Sequence, residues 1–125
     1  MAHDKNISPV GWYVVRYLLR FVELADPGND DPEKRFLAWE NTVLVKARSM
    51  EAAYAKGEKI GRGHTKPYRG GPSGVRVQWR FEGITLVLPI YEKLGDGAEI
   101  VWDEHAPRKL KTLRQWVKPM AAFFR

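Results

Sequence analysis

The chain has 125 residues, 44% of them hydrophobic and 12% aromatic, with a formal charge of +6, which describes a single folded domain and excludes a disordered one. Cysteine is absent, which excludes disulfides, zinc-thiolate sites and thiol nucleophiles and fits a reducing compartment. The opening MAHDKNISPVGW has no basic start or apolar run of a signal peptide, and ITLVLPI is too short for a bilayer, so a cytoplasmic protein without a membrane role is expected.

Residues 1–10 are expected to be a flexible tail. WYVVRYLLRFVEL, residues 12–24, is rich in aromatic and β-branched residues and predicts the first strand. Tyr13, Val15, Tyr17, Leu19 and Phe21 share one face, and Arg16 and Arg20 share the other. The acidic turn segment ADPGNDDPEK follows, then RFLAWENTVLVKAR as strand two. Ser49 is placed as the N-cap of a helix over residues 50–60, stopped by Gly61 in the left-handed C′ conformation, with Met50, Ala53, Tyr54 and Ile60 as its buried stripe.

Residues 62–74 form a basic Gly/Pro-rich stretch read as a mobile loop. In the run after it, Val75, Val77, Trp79 and Phe81 share one parity and Ile84, Leu86, Leu88 and Ile90 the other. That slip predicts one long bent strand bulged at Glu82–Gly83, with Pro89 at a sheet edge. Asp96-Gly97 is a hairpin signal ahead of a last strand, residues 98–103. Pro107 suits the first position of a closing helix over residues 108–118, whose Leu110, Leu113, Trp116, Val117 and Met120 fill one arc. The expected fold is α+β: an antiparallel sheet of four to five strands, order ββαββα, with both helices packed on one face.

With these segments placed, WYVVRYLLRF, ENTVLVKARSMEAAYAKGEKIG and WRFEGITLVLPIYEKLGDGAEI together resemble the small bacterial proteins of domain-of-unknown-function family 4288. The resemblance spans about residues 11–103. It rests on the opening Trp12–Tyr13 strand, the acid-led strand from Glu40 running into Ala-x-Ser before the helix, Trp79, and the closing Leu94 to Gly97 turn. The family implies no activity, and no catalytic residue is carried over. The loop after Gly61 and the tail from His105 fall outside the shared pattern.

Tests for chemistry are negative or weak. No Walker loop occurs, and Gly61-Arg-Gly63 follows a helix and precedes a strand, the wrong order for a dinucleotide cradle. Asp103, Glu104 and His105, with the remote His64 and His3, fall short of a catalytic zinc triad. Ser73 lacks the strand–turn–helix of a nucleophile elbow. Glu82 reads as an edge carboxylate paired with Arg80 or Arg76. The chain is therefore expected to be a non-catalytic binder, with no metal and no cofactor.

Charge is strongly uneven: residues 57–80 carry net +5, residues 81–104 net −5 and residues 105–125 net +6. Arg62, His64, Lys66, Tyr68, Arg69, Arg76 and Arg80, extended by Lys111, Arg114 and Lys118, are the candidate binding residues. Arginine and aromatic side chains dominate protein interfaces, so a protein partner is expected first, as for an immunity-type inhibitor of an acidic or toxin target, or an adaptor. The alternative is nucleic acid held by the same basic surface. A homodimer through a strand edge is compatible with either reading.

Overall fold

Aromatic and β-branched residues make residues 12–23 a strand, and neighbours on both sides make that strand the centre of the sheet. The computed structural model describes residues 4–125. In chain order its elements are β1 (Trp12–Glu23), β2 (Ala38–Lys46), α1 (Met50–Arg62), β3 (Tyr68–Gly70), β4 (Val75–Pro89) and α2 (Leu110–Trp116), followed by a 3-10 turn (Met120–Phe123). The protein is thus α+β, with one four-stranded antiparallel sheet in the order β2-β1-β4-β3 and two helices. No helix among the described residues is long and apolar enough to cross a membrane.

Tyr13, Val15, Tyr17 and Leu19 are buried on the face of β1 that their shared parity predicts. Tyr13, Val15, Val45 of β2 and Ala53 of α1 form the core cluster. Ser49 caps α1 as expected, its Oγ accepting from the Ala52 N–H at 3.1 Å. The helix does not stop at Gly61. It runs on to Arg62, and its buried stripe is Ala53, Gly57 and Gly61, while Tyr54 is exposed. A Cβ on Gly57 would lie 2.3 Å from Val15 Cγ1, and one on Gly61 would lie 2.5 Å from Phe81 Cε2. Both glycines serve close helix–sheet approach, not a left-handed turn.

The bend in β4 is present, but it holds two irregularities where one was predicted. Register slips between Arg16/Tyr17 and between Leu18/Leu19, so Thr85 and Glu82 are each an extra residue on β4. Gly83, at φ +153°, sits between them. The second slip returns β4 to its starting parity. Val77, Trp79, Phe81, Ile84 and Val87 therefore face α1, and Leu86 and Leu88 take the far face with Arg16 and Val14.

Three expectations fail in the second half of the chain. Residues 98–103 form no strand: the Asp96-Gly97 turn closes, with Gly97 at φ +82° and the Ala98 N–H donating to Gly95 O, but no ladder follows. β1 already has a partner on each side, which leaves that segment no central position. The second helix runs only from Leu110 to Trp116 with Lys109 as its N-cap, so Pro107 lies outside it and not at its first position. Among the described residues it packs against no other element, and α1 is the only helix on the sheet.

At the other end, residues 1–3 of the expected tail lie outside the described residues. Ser8 is buried: its N–H donates to Tyr13 Oη, and its Oγ donates to Ile90 O while accepting from the N–H groups of Val10 and Trp12.

Candidate binding surface

The strand pairings sort the candidate residues by face, because directly opposed residues point to the same side. Tyr68 opposes Val77 and so lies on the α1 side, whereas Arg69 and Arg76 oppose each other on the far side, which Arg80 shares with Arg20. Arg62 closes α1, and its guanidinium lies 4.7 Å from the centre of the Phe81 ring. His64 stacks on Tyr17, with ring centroids 6.0 Å apart and planes 19° apart. Lys66 occupies the loop between α1 and β3. Within the stretch 62–74, β3 pairs with the start of β4, and Gly71 and Gly74 adopt positive φ to turn the chain between them.

The far face is laced by polar contacts that engage its cations. Arg20 Nε pairs with Glu82 Oε2 at 3.1 Å, and Arg20 Nη1 donates to Asn29 O. Glu82 thus pairs across to β1 and not with its neighbours Arg80 or Arg76. Arg80 faces Asp30 at 3.5 Å, Arg16 Nε donates to Thr42 Oγ1, and Thr85 Oγ1 donates to Glu40 Oε2. The segment between β1 and β2 folds over this side: Phe36 lies under the Arg20 guanidinium, 4.5 Å from its ring centre, and a polar cleft of about 380 Å³ is lined by Arg20, Asn29, Asp31, Lys34 and Glu82 among others. Of the far-face candidates, Arg69 and Arg76 are exposed, and Arg69 Nη1 donates to Gly74 O inside its own hairpin.

Beyond the reach of α1 the helix side of the sheet is open and aromatic. Trp39 and Phe81 oppose Leu19 from either side, and Trp79 opposes Phe21. The Trp39 and Trp79 rings are 5.1 Å apart, the Phe21 and Trp79 rings 5.2 Å, and Trp39 is 55% exposed. Phe21, Trp39 and Trp79 are absent from the sequence-based set. Their shared odd parity with Tyr13, Val43 and Val77 is the signal that places them on this face.

Length explains why they are uncovered: a 13-residue helix is about 20 Å long, whereas the 12 residues of β1 extend about 40 Å. Glu82 and His64 stand on opposite faces of the sheet. Among the described residues no group of three or more His, Asp or Glu side chains is placed to hold a metal.

The structure does not bring the C-terminal cations to either group. Lys111, Arg114 and Lys118 extend from a segment whose helix touches no other element, and Leu110, Leu113, Trp116, Val117, Met120 and Phe124 are all exposed. His105 packs on Trp116, with centroids 4.7 Å apart. Arg125 returns to the start of β2, where it lines a cleft with Ala38, Trp39, Glu40 and Asn41.

The pattern of strands, capped helix and closing turn is that of a known family: the model described as "Domain of unknown function (DUF4288)" matches residues 12–102. The chain belongs to this family. No curated protein and no solved structure matches it. The DUF4288 match takes in the sheet, α1 and the aromatic strip and stops short of α2.

Proposed function

We propose that this DUF4288 protein is a non-catalytic binding module that holds a protein partner through its C-terminal segment. The observation that carries the reading is the state of residues 105–125. They have six cations and no carboxylate, and α2 presents Leu110, Leu113 and Trp116 to solvent while touching no other element. A helix with an apolar arc and a basic flank is what an acid-rimmed hydrophobic groove accepts, the apolar anchors supplying affinity and Lys111, Arg114 and Lys118 supplying steering and orientation. Seven residues of isolated helix are unstable in water, so ordering by a partner stabilises this element.

An inhibitor or adaptor role suits such a module, with Arg69 and Arg76 as a secondary contact. The test compares the immobilised full chain with a Leu113→Asp/Trp116→Asp variant in native lysate. The expected result is one acidic protein retained in stoichiometric amount by the parent and lost by the variant. Identical retention by both, or recovery of the chain alone, would refute it.

A further inference from the structure

We infer that the open half of the helix-side sheet is a stacking site for single-stranded nucleic acid, distinct from α2 and its apolar arc. Its floor is the aromatic strip: Trp39 on β2, Phe21 on β1 and Trp79 on β4, with Tyr68 of β3 on the same side and Phe81, beneath Gly61 and Arg62 of α1, at its inner margin. Neighbouring strands are about 4.8 Å apart, so the strip crosses about 14 Å of sheet, enough to take the two or three bases that open-sheet binders stack.

Trp39 is half exposed and packs against Trp79, itself braced by Phe21. Such rigid, half-exposed rings lose little freedom when a base is laid on them.

The border of the strip supplies the phosphate contacts. Arg62 lies over the Phe81 ring with a side chain 65% exposed, so its guanidinium is anchored there and open to solvent. His64 is parallel to Tyr17, and Lys66 follows in the loop to β3. Arg125 stands beside Trp39 at the opposite end.

The carboxylates near the strip stand at its margins: Glu58 pairs with Arg62 at 3.8 Å, Glu23 ends β1, and Glu40 shares the Arg125 cleft at the edge of β2. Within the stretch 57–80, Arg62 and Lys66 serve this border, whereas Arg69, Arg76 and Arg80 stand on the far face. Cations along a groove with aromatic rings between them fit a flexible polyanion whose bases have apolar faces. They do not fit an acidic peptide, which would leave the ring faces unused. A duplex keeps its bases stacked inside and cannot use them either.

The test is fluorescence anisotropy of the full chain with labelled oligouridine and oligothymidine of about 12 nucleotides, and with a duplex of the same length. Binding of either single strand in preference to the duplex is expected, with affinity falling log-linearly between about 50 and about 200 mM salt. Trp39→Ala should weaken it by about five-fold or more, and Arg62→Glu should weaken it and flatten the salt dependence. Trp102→Ala, another exposed tryptophan outside the strip, should leave it unchanged.

Trp39 is exposed at a sheet edge, so its loss leaves the fold intact, as circular dichroism of the variant would verify. No retention at low salt, equal affinity for the duplex, equal displacement by polyglutamate, or indifference to Trp39→Ala would each overturn the inference.

Discussion

Asp26 answers its own neighbours: the Gly28 N–H donates to Oδ1 at 2.8 Å and Lys34 Nζ pairs with Oδ2. The Lys34 hydrogen bond, then that of Gly28, holds the Asp26 carboxyl below the ordinary aspartate value. A carboxyl depressed in the folded state stabilises the fold above the ordinary aspartate range, and this contribution is lost as pH falls through the lowered value. A carbon-detected NMR titration is expected to show Asp26 protonating below about 3.9, and Lys34→Met should move it back toward that value. An unshifted midpoint in the parent protein would show that the loop contact does not form in solution. Ser49 is the same kind of local answer, one hydroxyl for one free helix N–H, which is why both its position and its role were legible in the sequence.

At the scale of elements, α1 meets the sheet through small residues. Replacing Gly57 by alanine would raise helix propensity by about 1 kcal/mol, the change that helix rules alone recommend. The new methyl would instead lie 2.3 Å from Val15, a side chain buried in the core, so the helix must lift from β1. Overpacking of this sort costs about 1–3 kcal/mol. Gly57→Ala is therefore expected to lower the urea midpoint, and a rise would show that the helix can shift without loss. Periodicity located this helix and put Met50, Ala53 and Ile60 at the core, but it missed Gly57 and Gly61, because a glycine has no side chain to register on a hydrophobic wheel. For β4 the parity change marked the bulge near Glu82, whereas the compensating residue at Thr85 leaves no trace in a polar–apolar pattern read along one strand.

For the whole molecule, α2 packs on no element of the body, while Arg125 beyond it reaches the start of β2. Because α2 contacts no other element, removing residues 105–125 is expected to move the thermal midpoint by less than about 3 °C, read by circular dichroism, since a larger fall needs about a kcal/mol of lost contacts. A steep drop would mean that the segment covers part of the sheet. Sequence alone determined the α+β class, the two long strands, the capped helix and the family, because each depends on neighbours in the chain: alternation, a cap hydroxyl, a glycine at a turn. The tertiary structure decided which cations stand together. Arg62, His64 and Tyr68 fall on one side of the sheet and Arg69, Arg76 and Arg80 on the other, since successive residues of a strand point in opposite directions and register depends on the partner strand. It also decided that the second helix is unpartnered, for an apolar arc has the same sequence whether it covers its own sheet or awaits another protein.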